Sequence, residues 1–169
     1  KTQGDFMYTL GLNRFIFHRY AHQPHPTAVP GMTMGQWGFH FERTNTWFYQ
    51  GKKWLEYATR CQYLLQQGTF VGDVMCFTGE EAPGDDITMG ALYPDLPAGY
   101  DFQFANRDIL LNKVSIKNGQ LTLPDGLSFG LLLLPEQNFL TLELVHKLKD
   151  FVQQGMILFG PKPATLPSL

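Results

Sequence analysis

Four of the five histidines, His18, His22, His25 and His40, lie within one short stretch that also holds Arg19, Trp37, Glu42 and Arg43, with Trp47 just beyond. Flat aromatic surfaces mixed with hydrogen-bonding side chains suit a ligand with polar edges and C–H faces, as a sugar ring has. A metal centre is the alternative chemistry. His18 and His22 are four apart, a spacing that pairs ligands on a helix, but the segment around His18 reads as a strand running into a loop. His22-x-x-His25 offers no third ligand nearby, and a tetrahedral site wants three or four. A small histidine-metal enzyme therefore stays a minor possibility, and His18 is equally readable as a packed core histidine.

Carboxylates are scarce in this region. Glu42 is the only acid between Asp5 and Glu56. Glycoside cleavage normally takes two carboxyl groups flanking the bond, so the loop supplies one candidate at most. Glu42 reads equally well as the partner of Arg43 or of another loop cation. A second acidic group, Glu80, Glu81, Asp85 and Asp86, reads as a solvated connection that follows the end of a strand. No Gly-x-Ser-x-Gly elbow is present, and neither cysteine sits where a thiolate would be favoured. Phosphate-binding glycine motifs are absent too, so the second half reads as structural.

The elements that position these groups come from pattern. Asn13 to Tyr20, rich in aromatics, reads as a strand. Ala21 to about Thr46 reads as a long loop punctuated by Pro24, Pro26, Pro30, Gly31, Gly35 and Gly38, and a loop of that length is more often functional than idle. Trp54, Tyr57, Ala58, Cys61, Leu64 and Leu65 fall on one face of a helix from about Gly51 to Gln67, with Gly68 suited to the left-handed position beyond it. Phe70 to Phe77 reads as a buried strand. Gly99 to Leu111 ends in a short helix capped by Asn106. Val114 and Ile116 alternate up to Asn118-Gly119, a type I′ hairpin signal, and Leu121 and Leu123 alternate away. Phe129 to Leu134 reads as one buried strand. Thr141 starts an amphipathic helix that Gly155 ends, and Met156 to Phe159 returns as a strand. Strand, helix, strand with short joints implies a βαβ unit and a parallel sheet.

The 169 residues are 44% apolar and 17% charged, with a net charge of −2. That composition can build a core and gives no electrostatic reason to expect nucleic acid or an anionic membrane as partner. The longest apolar stretch is far too short to span a bilayer. Cys61 and Cys76 suit neither a disulfide framework nor a metal site; both read as small core residues, and the compartment stays open. Lys1 reads as a cut end.

Three motifs are recognisable: Leu12-Asn-Arg-Phe-Ile-Phe-His18-Arg-Tyr-Ala-His22-Gln-Pro24, Pro30-Gly-Met-Thr-Met-Gly-Gln-Trp37-Gly and Arg43-Thr-Asn-Thr-Trp47. With Trp54-Leu-Glu-Tyr-Ala-Thr-Arg-Cys61-Gln-Tyr-Leu-Leu-Gln-Gln-Gly68, they resemble glycoside hydrolase family 106, the α-L-rhamnosidases. The resemblance runs over nearly the whole chain. It implies a much longer enzyme, periplasmic or secreted in bacteria, that removes rhamnose from plant-type polysaccharides or glycosides with inversion, and that holds calcium near the sugar. It further implies an α/β chain. Residues 1–68 would form the end of a (β/α)8-type barrel, and residues 69–169 an incomplete flavodoxin- or amidotransferase-like domain with an inserted hairpin. On this basis His18, His22, Trp37, His40, Arg43 and Trp47 line the rhamnose pocket, and the main acid–base pair and calcium ligands lie elsewhere in the parent; Glu42 is the one catalytic candidate as the single acid of the loop, not through the resemblance. No metal ligand is assigned within the chain. The alternatives are a non-catalytic sugar-binding or subunit-contact module, or a glycosidase for a different sugar. Expressed alone, an incomplete barrel with exposed edges is expected to be poorly soluble.

Overall fold

The computed structural model describes residues 1–29, 31–33, 35–36, 41–80, 96–137 and 139–167. Two compact units, Lys1–Gly68 and Thr69–Leu169, divide the chain. No helix among the described residues is long and apolar enough to cross a membrane.

The first unit holds two helices, α1 (Thr2–Thr9) and α2 (Lys52–Leu65), joined by a long irregular segment. Helix α1 was not foreseen: its eight residues carry no apolar stripe and none is buried. Two side-chain bonds tie it to α2. Tyr57 Oη donates to Asp5 Oδ1 at 2.8 Å, and Tyr8 Oη donates to the carbonyl of Ala58 at 3.4 Å. Asp5 accepting that proton is the first cause that raises the Tyr57 phenol well above its ordinary range, with Cys61 adding to it.

The strand expected from Asn13 to Tyr20 is not formed. A strand needs a neighbour to complete its ladder, and α2 side chains take part of that place instead. Gln62 Oε1 accepts from the amide of Phe15 at 3.2 Å, and Gln66 Nε2 donates to the carbonyl of Asn13 at 2.8 Å. Helix α2 itself starts and stops within two residues of expectation. Its face is buried only at Ala58, whereas Leu64 and Leu65 are exposed and Cys61 is half-buried, so Cys61 is not the core residue expected.

The second unit is built on a four-stranded parallel sheet, order β2-β1-β6-β7. Its strands are β1 (Val74–Phe77), β2 (Phe102–Ala105), β6 (Leu131–Leu133) and β7 (Ile157–Phe159). Between β2 and β6 lie the short helix α3 (Arg107–Asn112) and an antiparallel sheet of β3 (Ser115–Lys117), β4 (Gln120–Thr122) and β5 (Ser128–Phe129). Helix α4 (Leu142–Gln153) crosses from β6 to β7, the expected βαβ unit. Asn106 Oδ1 accepts from the amide of Ile109 at 3.0 Å and caps α3 as its side chain predicts.

Two readings are corrected here. Phe129 to Leu134 is not one strand: Phe129 pairs with Leu121 in the antiparallel sheet, and Leu131 pairs with Val74 in the parallel one. Gly130, between them, is where the chain changes sheets. The strand β2, hidden in Gly99 to Leu111, was missed because four residues carry too little pattern.

The core of this unit has a large cluster and a smaller one of Val74, Cys76 and Leu133. Met75, Phe77, Leu110, Leu121, Phe129, Leu132, Leu144, Leu148, Phe151 and Met156 are buried together. Asn118 and Gly119 both have positive φ, 51° and 78°, as a type I′ turn requires. Gly119 packs on Gly155, which ends α4 with φ 94°. The amide of Met156 donates to the carbonyl of Phe151 at 3.1 Å and that of Gly155 to Val152 at 3.0 Å, closing the helix as a Schellman motif.

Glu80 departs from its expected role. It is not a solvated loop acid but a clamp, with its side chain only 3% exposed. Its carboxylate accepts from Arg107 Nε at 2.7 Å and from the amide and hydroxyl of Thr141 at 2.6 and 2.7 Å. One carboxylate thereby holds the starts of α3 and α4. Glu81, Asp85 and Asp86 lie outside the described residues.

Candidate functional site

The first unit is organised by aromatic rings rather than by a sheet. Tyr8 meets Phe15 at 4.9 Å between centroids, and Phe15 stacks on Trp54 at 6.5 Å. Phe17 packs edge-on against Trp54 at 5.6 Å and stacks on Phe41 at 5.5 Å. Phe41 then meets the edges of Trp47 and Phe48 at 5.3 and 5.7 Å. Phe15 and Phe17 thus turn to the same side, and Ile16 between them is 92% exposed.

At one end of this chain of rings is a cleft of about 400 Å³, lined by Lys1, Phe41, Trp47, Gly51 and Trp54. Three aromatic side chains dominate its lining. Such a wall can stack on the C–H face of a ring and leave the ring's hydroxyls for polar partners. Trp47, 38% exposed, is partly open to solvent.

The loop beside it is held by hydrogen bonds that run back to its own backbone. Gln23, 7% exposed, donates from Nε2 to the carbonyl of Met32 at 2.7 Å and accepts at Oε1 from the amide of Met32 at 2.9 Å. A side chain at Gly31 would collide with Gln23 Oε1, 2.1 Å from where a Cβ would sit. Arg43 Nη2 donates to the carbonyls of Gln23 and His25, at 3.3 and 3.0 Å. Gln23 and Gly31 were not singled out from sequence, although both fall inside the recognisable motifs.

Glu42 is buried at 2% exposure. It accepts from the amide of Thr44 at 2.6 Å and from the Thr44 hydroxyl, closing a tight turn just before Trp47. His25 Nδ1 accepts from the amides of Thr27 and Ala28, at 3.3 and 3.1 Å. His18 and His22 are exposed, and His18 Nε2 lies 2.9 Å from Arg19 Nη2. Trp37 and His40 lie outside the described residues. Of the residues expected to line the pocket, the structure brings Trp47 into the cleft wall and Arg43 into the scaffold of the loop. Phe41 and Trp54, read only as general aromatic content and as a helix face, supply the rest of the wall.

No three His, Cys, Asp or Glu side chains among the described residues stand close enough to hold a metal ion. Calcium takes six to eight oxygens, roughly, with several carboxylates among them. Among the described residues no three carboxylates come together as part of such a donor set.

The alpha-L-rhamnosidase family, glycoside hydrolase family 106, matches residues 1–169. A Formosa agariphila protein named "Putative beta-glucuronidase" is 39% identical over 170 residues, which cover 100% of this chain and 14% of that protein. The solved structure of a rhamnosidase from Novosphingobium sp. PP1Y matches with a TM-score of 0.79 and 28% identity over 96% of this chain and 16% of that one. The chain therefore spans a small part of the relatives it matches. It belongs to glycoside hydrolase family 106, the alpha-L-rhamnosidases.

Proposed function

We propose that this chain is a segment of an α-L-rhamnosidase and that its first unit supplies an aromatic wall of the pocket for a rhamnose-containing carbohydrate. The observation that carries it is the cleft of Phe41, Trp47 and Trp54 in a chain of this family. Rhamnose, with a methyl group and an axial pattern of C–H bonds, has an apolar face that such rings can cover. Arg43, His18 and His22 are the polar groups of the same loop, with Trp37 and His40 as further lining residues.

The reaction assigned to the parent is hydrolysis with inversion. One carboxylic acid protonates the leaving oxygen while a second carboxylate activates water, the two standing about 6.5–9.5 Å apart. Within the first unit, Asp5 is bonded to Tyr57, and Glu56 faces Lys52 and Lys53. The acid–base pair is accordingly assigned to other parts of the longer polypeptide. Glu42, bonded to Thr44, is placed as the residue that positions the turn carrying Arg43 and leading to Trp47. The first unit is taken as the end of the catalytic barrel. The second is taken as a flavodoxin- or amidotransferase-like appendage, a view supported by its strand order.

A second reading has one specific observation in its favour. Lys1 is among the residues lining the cleft, with its Nζ 4.5 Å from the centroid of the Tyr57 ring, and a cation at that position would suit the carboxylate of a uronic acid sugar. Nitrophenyl α-L-rhamnoside and nitrophenyl β-D-glucuronide, offered to the full-length enzyme, separate the two. Rhamnoside cleavage alone supports the first reading, and glucuronide cleavage alone replaces it with the second. In the same assay Glu42→Gln is expected to lower kcat less than about tenfold, with an unchanged pH profile. A loss of about 1000-fold with one limb of the profile gone would make Glu42 the catalytic acid or base.

A further inference from the structure

The net charge of −2 conceals an uneven split. Residues 1–68 carry seven Lys and Arg against three Asp and Glu, while residues 69–169 carry six against twelve. The three acids of the first unit are engaged within it: Asp5 by Tyr57, Glu42 by Thr44, and Glu56 by Lys52 and Lys53. Positive charge is therefore left over around the aromatic loop. The loop's two arginines differ in how far the fold uses them. Arg43 is committed to the scaffold, since its Nη2 braces the carbonyls of Gln23 and His25.

Arg19 is held differently. Its carbonyl accepts from the amide of Phe41 at 3.0 Å, which ties its backbone to a ring of the cleft wall. The side chain is half-buried and makes one close polar contact, Nη2 to His18 Nε2 at 2.9 Å. Its Nε is enclosed with no hydrogen-bond partner. No carboxylate among the described residues forms an ion pair with it. An enclosed donor left unpaired is costly, and in a native protein it calls for a partner that the fold itself does not contain. The partner that a planar guanidinium fits best is a carboxylate, which takes two parallel bonds from its fork of donors.

Rhamnose cannot be that partner by itself. It is a neutral 6-deoxy sugar with no ionisable group, so a carboxylate can only come from the residue that bears it. On the reading that rhamnose lies against Phe41, Trp47 and Trp54, we infer that Arg19 recognises a carboxylate on the adjoining sugar and so selects rhamnosyl-uronates over neutral rhamnosides. The rings cover the apolar face of the rhamnose, and Arg19 takes up the charge beside it. The surplus of cations in the first unit draws an acidic chain toward the same loop.

Competition against cleavage of nitrophenyl α-L-rhamnoside by the full-length enzyme tests this. The competitors are a rhamnosyl-glucuronate and the rhamnosyl-glucose of the same linkage. They differ only in a carboxylate against a hydroxymethyl group, and each competes whether or not it is cleaved. The wild type is expected to bind the acidic disaccharide about 30-fold more tightly, read as the ratio of the two Ki values. Arg19→Gln is expected to bring that ratio near one, and Arg19→Lys, which keeps the charge without the fork, to leave it at about fivefold. A wild-type ratio near one overturns the inference. So does a ratio that neither substitution lowers, the behaviour of an arginine that serves a carboxylate of the protein instead. A wild type that leaves the rhamnoside uncleaved overturns the underlying reading, and the inference with it.

Discussion

The two halves of this chain solve the folding problem with different materials. The second unit buries aliphatic side chains under a hydrogen-bonded sheet, and Leu110, Leu121, Leu132 and Leu144 are all fully buried. In the first unit Ala21 and Ala58 are the buried apolar residues among those described, while Ile16, Val29, Tyr49 and Leu64 are between 69% and 92% exposed. Its order comes from ring-on-ring contacts and from side chains bonded to backbone. A self-sufficient core serves a scaffold. A unit that leaves its rings half open and residues such as Ile16 and Tyr49 exposed has surface to offer to a ligand.

The largest effects should fall where burial is complete. Leu144→Ala is expected to cost about 2–5 kcal/mol by leaving a cavity, whereas Leu64→Ala should change stability by less than about 0.5 kcal/mol. Chemical denaturation of the two variants checks this, and equal losses would erase the contrast between the units. Glu80→Ala removes a buried carboxylate that anchors two helix starts and whose partner Arg107 is half-exposed, so a loss of about 2 kcal/mol is expected. A loss below about 1 kcal/mol would return Glu80 to the role of a solvated loop acid.

Smaller effects sharpen the same contrast. Burial pushes the Cys76 thiol up to about 11. A thiol whose pKa is raised on folding contributes stability that is complete below its unfolded value of 9.0 and is lost as pH rises toward 11. The second unit should therefore weaken across pH 9 to 11 in the wild type, and Cys76→Ala should remove that part of the slope. At neutral pH a thiol reagent should label half-buried Cys61 before Cys76. In the first unit, a double-mutant cycle on Phe41 and Trp47 should give a coupling of about 1 kcal/mol.

Legibility in the sequence followed the same division. Helix α2, the Asn118-Gly119 hairpin and the βαβ unit around α4 each announce themselves through a local signal, whether helical period, turn chemistry or capping residues. Asn13 to Tyr20 carried an equally strong signal for a strand, yet β-propensity reports fit to a pleated neighbour rather than a backbone preference. The described residues supply no neighbour, so the segment stays outside any ladder even though Phe15 and Phe17 still turn inward together. The break at Gly130 and the clamp of Glu80 depend on contacts far apart in sequence, which no local pattern records. For the candidate cleft, the sequence offered Trp47 as part of an aromatic and polar loop. Phe41 and Trp54 were not singled out as its partners, because only the fold brings a helix face and a loop ring to the same cleft.

The central claim is that the aromatic cleft of the first unit contacts the sugar. Steady-state cleavage of nitrophenyl α-L-rhamnoside by the full-length enzyme, wild type against Trp47→Ala, tests it most directly. A stacking wall predicts that KM rises about tenfold while kcat stays within about threefold. An unchanged KM with normal folding of the variant would place the sugar elsewhere and leave the rings a purely structural part.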